Sequence, residues 1–256
     1  MKGVILAGGT GSRLRPITYI VNKNLLPVYN KPAIIYNIDL LKKAGISEIA
    51  IVAEHNFISD FKYLLGNGVD YDVKISYIND SPLKKGPGSA VNCARDFIGS
   101  SNFVLVFADN IFDTCIKKEV EQFTDGAILF VKEVNNPSSF GVVQTNKKGK
   151  VISIEEKPVN PKSKLVSTGL QIYDNNILEM LKRQKPGLNG EYLLVDINQE
   201  YLKRKKLQAI KMDGFWQDMG TFDGLYIASN YYYNKTKGNK KSKILQKKTL
   251  NTRQSA

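Results

Sequence analysis

The sequence predicts an α/β fold, a mostly parallel sheet flanked by helices with a strand-rich second half. Three observations predict it. Apolar runs such as Gly3–Ala7, Glu48–Ala53 and Phe103–Ala108 read as buried parallel strands. Stretches with apolar residues at helical spacing separate these runs. After about residue 125, strand patterns follow one another with few helices between them.

The first strand runs into Gly8-Gly9-Thr10-Gly11-Ser12-Arg13-Leu14-Arg15. Its glycines allow positive φ and close backbone approach to a ligand. Bare N–H groups with Arg13, Arg15 and Lys23 suit several negative charges at once, as on a polyphosphate. Two common motifs fit poorly. A P-loop needs Gly-Lys-Ser/Thr, and Gly11 is followed by Ser12-Arg13. A dinucleotide fingerprint needs a last glycine where Leu14 stands.

Pro32 to Lys43 carries Ile34, Ile35, Ile38 and Leu41 at helical spacing, with Pro32 suited to a first turn and Gly45 to a stop. A strand is expected at Glu48–Ala53, a helix at Asn56–Leu65, a strand at Val73–Tyr77 and a helix at Gly88–Ile98. Phe103–Ala108 then delivers Asp109. Parallel sheets bind ligands at the carboxyl ends of their strands, so the glycine loop and Asp109 should share one edge. Further strands are expected at Ala127–Val131, Gly141–Thr145, Val151–Glu155, Val166–Tyr173 and Gln208–Lys211. Lys147–Lys150 reads as a hairpin turn. Helices are expected at Asn175–Arg183, Val195–Lys205 and Thr221–Tyr233. Neither a repeat nor a linker interrupts this pattern. One domain is expected over 1–233, with halves of about 1–125 and 126–233.

The chain has 256 residues and 42% hydrophobic content, enough for a substantial core. No apolar run reaches membrane-span length, and no signal-peptide pattern opens the chain. Two cysteines, Cys93 and Cys115, suggest no disulfide framework. A cytoplasmic location is the expectation, with no membrane partner. The formal charge is +13. Asn230–Ala256 holds eight Lys/Arg and no acid, which leaves +5 for the rest. A nucleic-acid partner is therefore not expected, and residues 234–256 read as a disordered basic tail. His55, the one histidine, belongs to no metal or triad constellation.

Gly8-Gly9-x-Gly11-x-Arg13-Leu14-x-Pro16-x-Thr18 followed by Lys23-x-Leu25-Leu26-Pro27-Val28 resembles the signature of the sugar-1-phosphate nucleotidyltransferases. The resemblance continues through Asp109-Asn110, Phe140-Gly141-Val142-Val143, Glu155-Glu156-Lys157-Pro158, Thr168-Gly169 and Asp218-x-Gly220-Thr221, covering about residues 1–230. It is strongest to the branch that transfers thymidylyl groups to glucose-1-phosphate. The resemblance implies a Rossmann-like fold whose second half binds the sugar. It implies an enzyme that takes a nucleoside triphosphate, with dTTP favoured, and a sugar-1-phosphate. Arg13, Lys23 and Lys157 would be catalytic. Leu6, Gly8, Gly9, Gly11, Ser12, Ser81 and Gly86 would join Arg13 and Lys23 in holding the nucleotide. Asn110, Gly141, Glu156, Lys157, Ser167, Thr168 and Gly169 would hold the sugar phosphate. Asp109 and Asp218 would hold Mg²⁺.

Two departures from the family pattern bear on this reading. Asn189 stands where members often carry an arginine for the sugar phosphate, and Ser81 stands where thymidylyl enzymes read the base with a glutamine. Alternatives are a uridylyl- or cytidylyltransferase acting on another sugar phosphate, and a non-catalytic nucleotide- or sugar-binding module. The sequence leaves open the base, the sugar and any homo-oligomer.

Overall fold

The structure, a computed structural model, describes residues 1–81, 83, 85–187 and 189–253, with 239–253 described by backbone alone. Pro82, next to Ser81, and the last three residues of the basic tail lie outside these.

The first half comprises β1 (Lys2–Leu6), β2 (Pro27–Val28), β3 (Lys31–Pro32), α1 (Ala33–Lys43), β4 (Glu48–Ala53), α2 (His55–Leu65), β5 (Lys74–Asn79), α3 (Pro87–Cys93), α4 (Arg95–Ile98), β6 (Phe103–Phe107), β7 (Asn110–Asp113) and α5 (Lys117–Gln122). The second half comprises β8 (Ala127–Glu133), β9 (Gly141–Thr145), β10 (Val151–Glu156), β11 (Leu165–Tyr173), α6 (Ile177–Arg183), α7 (Leu194–Lys203), β12 (Leu207–Lys211), β13 (Phe215–Asp218) and α8 (Phe222–Arg253).

Among the described residues one nine-stranded sheet runs β10-β9-β11-β6-β1-β4-β5, with β8 branching from β11 and β12 pairing β8. Strands β6, β1, β4 and β5 are mutually parallel, and β11 joins β6 antiparallel. The register Leu6↔Phe107 puts the ends of β1 and β6 side by side. The segments that follow them, the glycine loop and Asp109, therefore leave from one edge.

Alternation along the strands divides the core into layers. Ile5 faces the layer with Ile34, Ile38 and Leu41 of α1 and Phe61 of α2. Val4 faces the layer with Val91 of α3, Leu181 of α6 and Ile197 of α7. A third cluster of Leu14, Val28, Tyr36, Ile111, Met219 and Ala228 sits beneath α8. Pro32 precedes the first residue of α1, and Gly45, at φ 83°, follows its end, close to the places they were expected to mark.

The structure differs from the expected elements in several places. The helix expected over Gly88–Ile98 breaks at buried Ala94 into α3 and α4. Strands β7 and β13 and helix α5 were not expected. Helix α8 does not end at Tyr233 but continues through Arg253. No helix among the described residues is long and apolar enough to cross a membrane.

Candidate active site

Polar side chains fix the glycine loop from below. A buried carbonyl at the end of a strand needs a donor. Ala7 O accepts from Asn22 Nδ2 at 3.2 Å and from Asn24 Nδ2 at 3.0 Å. Thr18 Oγ1 donates to Gly11 O at 2.7 Å. Gly9 and Gly11 have φ of 94° and 60°, a region that suits glycine. Ser12–Leu14 form one tight helical turn, with Leu14 buried and Arg13 exposed.

Lys23 opens another such turn, capped by Asn22, whose Oδ1 accepts from Asn24 N at 2.9 Å. Its Nζ reaches Asp109 Oδ2 at 2.5 Å, with side chains only 14% and 19% exposed. Asn37 Nδ2 donates at 2.9 Å to Ala108 O, just before Asp109. Antiparallel pairing of β7 with β13 places Asp218 opposite Asn110. Met219 N also donates to Asp109 O at 2.9 Å. Asp218 Oδ1 accepts from Gly220 N at 2.6 Å. A β-carbon on Gly220 would stand 2.7 Å from Arg13 Nη2 and 2.9 Å from Asp218 Oδ1. Glycine there lets the guanidinium approach the carboxylate. The structure thus brings together Arg13, Lys23, Asp109 and Asp218.

Burial, and then the charge of Asp109, push the Asp218 carboxyl above its usual range. Gly220 N–H, Arg13 and Lys23 act in the other direction. Two carboxylates that repel each other at one corner suit a divalent cation. Among the described residues no group of three or more His, Cys, Asp or Glu could hold a metal by itself. Such a pair fits an ion that keeps waters and takes oxygens from a substrate phosphate.

The sugar-side candidates form a second cluster, joined to the first through Trp216. Asn110 Nδ2 donates to Asp109 Oδ1 at 2.9 Å, and Asn110 Oδ1 accepts from Trp216 Nε1 at 2.8 Å. Trp216 packs edge-on against Phe140, with ring centres 5.5 Å apart. Gly141 pairs with Glu156 across β9 and β10. A β-carbon on Gly141 would lie 3.3 Å from Glu156 Oε2 and 3.9 Å from Ser167 Cβ. Lys157 has φ of 44°, a left-handed value that costs a non-glycine residue about 1–2 kcal/mol. Its N–H donates to Phe140 O at 3.0 Å, and its exposed Nζ lies 3.5 Å from Glu156 Oε1.

The pairing of β11 shifts between Ser167 and Gln171, which places Thr168 and Gly169 in the irregularity. Gly169 has φ of 76°, and a β-carbon there would lie 3.1 Å from both Asn110 Nδ2 and Phe107 Cβ. Thr168 is buried, and its hydroxyl donates to Phe130 O at 2.9 Å.

Leu6 ends β1 between Val52 and Phe107. Ser81 N donates to Asp80 Oδ1 at 2.8 Å, and Ser81 Oγ accepts from Leu83 N at 3.3 Å. Gly86, with φ of 98°, lies against the Tyr192 backbone, where a β-carbon would stand 2.8 Å from both N and O. Asn189 is exposed, next to Gly190 at φ 74°. His55 begins α2, and its Nδ1 lies 3.3 Å from Asn79 Oδ1.

Sequence reasoning missed Asn22, Asn24, Asn37 and Trp216. Asn22 and Asn24 sit in a segment where the residue type ordinarily signals a turn, and Asn37 lies inside helix α1. Their near-complete burial shows only in three dimensions.

Residues 2–235 match the nucleotidyl transferase family. A glucose-1-phosphate thymidylyltransferase of Neisseria meningitidis is 43% identical over 237 residues, which cover 90% of this chain and 82% of that protein. One from Mycolicibacterium smegmatis is 39% identical over 238 residues, with the same two shares. Among solved structures, a Bacillus anthracis protein assigned to the glucose-1-phosphate thymidylyltransferases, with bound sucrose, superposes with a TM-score of 0.86. It is 39% identical, and the match covers 90% of this chain and 94% of that one. A UDP-glucose pyrophosphorylase in complex with UDP-glucose superposes with a TM-score of 0.81 at 28% identity, covering 91% of this chain and 98% of that one.

Proposed function

The chain belongs to the nucleotidyl transferase family, and from that membership we propose that it joins dTTP and glucose-1-phosphate into a nucleotide-sugar, with release of pyrophosphate. Nucleotidyl transfer to a sugar-1-phosphate is the activity of the family. The choice of dTTP and of Mg²⁺ is the finer part of this reading. The observation that carries it is the corner where Arg13, Lys23, Asp109 and Asp218 meet beside the glycine loop.

An oxygen of the sugar phosphate attacks the α-phosphorus and forms a new P–O bond. The bond from the α-phosphorus to the bridging oxygen breaks, and pyrophosphate carries away the electron pair. The attacking phosphate is already an anion, so no side chain need remove a proton. What remains is positioning and charge neutralisation. Arg13 and Lys23 face the triphosphate and offset its charge. Lys157, exposed and held in an unusual backbone conformation, steers the incoming phosphate. Gly141 and Glu156 form the wall for the sugar, and Gly169 leaves room for Asn110. Asp109 and Asp218 would hold Mg²⁺, which when bound supplies positive charge to the phosphate oxygens.

A second reading, uridylyl transfer, is favoured by the likeness to UDP-glucose pyrophosphorylase. A screen for pyrophosphate release decides between them. The purified protein is given dTTP, UTP, CTP, ATP or GTP with each of several sugar-1-phosphates. Greatest efficiency with dTTP and glucose-1-phosphate supports the reading. Release with no pair refutes it, and preference for UTP selects the second.

A further inference from the structure

We propose that Asp80 reads the base of the nucleotide, with Oδ2 accepting the ring N3–H of thymine or uracil, so that the site admits imide-bearing pyrimidines and rejects cytosine. This rests on the nucleotidyl-transfer reading and deepens it.

Successive glycines of the loop face different partners. A β-carbon on Gly9 would stand 3.2 Å from Lys23 Nζ, which holds Asp109. A β-carbon on Gly8 would stand 3.3 Å from Asp80 Oδ2. The sheet order β6-β1-β4-β5 then sets a direction. Asp109 follows β6 on one side of β1, and Asp80 follows β5, two strands beyond β1 on the other. From β6 to β5 is three strand spacings, about 14 Å. A nucleotide whose phosphates face Lys23 and Arg13 lies along that edge and brings its base toward Asp80.

The carboxylate has one oxygen engaged and one available. Oδ1 accepts from Ser81 N at 2.8 Å. Among the described residues no hydrogen bond reaches Oδ2. The group is half-buried, and burial is the main influence on its carboxyl. An ionised carboxylate only accepts hydrogen bonds. Thymine and uracil carry a donor at N3, where cytosine presents a bare lone pair that repels the oxygen. The nucleotides named for the relatives have imide bases, thymidylyl in one group and UDP-glucose in the other. Ser81 cannot take the place of a longer amide at this position, whereas its neighbour Asp80 already points at the loop. Sites built to bond a substrate N–H can reject an analogue lacking it by as much as about 10⁴-fold.

The test measures kcat/KM for dTTP, UTP and CTP at saturating glucose-1-phosphate in the wild type, Asp80→Asn and Glu54→Gln. The wild type should favour dTTP over CTP by at least about 100-fold. In Asp80→Asn the amide can turn a donor toward cytosine N3, so the dTTP:CTP ratio should fall at least about tenfold. The dTTP:UTP ratio should not change, because the methyl group is not the contact. Glu54→Gln removes the neighbouring charge and should keep the wild-type ratio. Asp80→Ser serves if the asparagine variant does not fold, and it too should lower the dTTP:CTP ratio. An unchanged ratio in a folded variant, an equal loss with all three triphosphates, or a wild-type preference for CTP would overturn the role of Asp80. If no pair releases pyrophosphate, the nucleotidyl-transfer reading has failed. Calorimetric titration of the same proteins with dTTP and CTP then judges Asp80 by itself.

Discussion

Asp218 on β13 stands in register with Asn110 on β7, and this pairing brings Asp218 to the corner occupied by Asp109. The two carboxylates come from opposite halves of the chain and depend on each other for their surroundings. Asp109→Asn and Asp218→Asn should each lower kcat by at least about 100-fold while the protein stays folded. Steady-state kinetics across a Mg²⁺ titration checks this. Near-normal turnover of either variant at limiting Mg²⁺ would contradict the two-carboxylate site.

The same corner predicts an opposite effect on stability. The folded-state carboxyl of Asp218 titrates above its unfolded value, because of burial and the charge of Asp109. The folded state therefore binds the proton more tightly, and the ionised side chain destabilises the ligand-free fold at neutral pH. The penalty disappears as pH falls through the raised folded pKa to below the unfolded one. Asp218→Asn should raise the melting temperature without ligand at pH 7, and the gain should shrink in acid. Scanning calorimetry at both pH values measures this, and a lower melting temperature at pH 7 would refute it.

Trp216 predicts a selective defect. Its indole N–H supports Asn110, a sugar-side candidate. Trp216→Phe keeps the ring and removes the donor. One hydrogen bond contributes about 1 kcal/mol, so the sugar-phosphate KM should rise roughly fivefold. The triphosphate KM should hardly move. Equal changes in both constants would show that the tryptophan acts on the fold instead.

Gly169 combines a positive φ with close neighbours on two sides. Gly169→Ala should destabilise the protein by more than about 1 kcal/mol. It should also disturb Asn110, so activity should fall even where the variant is folded. Thermal unfolding and kcat/KM for the sugar phosphate, measured together, check both effects.

Deleting Lys237 to Ala256 should leave nucleotide-sugar synthesis nearly unchanged. Among the described side chains, contacts that dock α8 lie before the cut. Tyr231 and Lys235 reach Asp113, and Tyr232 OH donates to Phe112 O at 2.8 Å. Activity and melting temperature of the truncated chain are the measurements, and loss of either would give the tail a role.

The buried strands were legible in the sequence because their burial writes itself as apolar runs. That alone places the glycine loop and Asp109 on one edge, through β1 and β6. The β7–β13 ladder was not legible. Its strands are four residues each, carry polar ends at Asn110, Asp113 and Asp218, and find their partners about a hundred residues away. Periodicity within a window cannot register such a pairing. Lys157 was legible as a residue type and not as a conformation, since a left-handed lysine has no local signature. The hydrogen bond from the Thr168 hydroxyl to the backbone of β8 was not legible either, since its partner lies 38 residues away.

Strand β11 gives its later residues to β6 on one edge and to β8 on the other, while Val166 pairs with Val142 of β9. Backbone ladders therefore tie the first half of the chain to the second. Separating the halves would strip hydrogen bonds from both at once and expose Val106, Leu170 and Ile172, all fully buried. Such a seam has no weak joint at which one half can melt while the other persists. Denaturation should therefore be a single cooperative event.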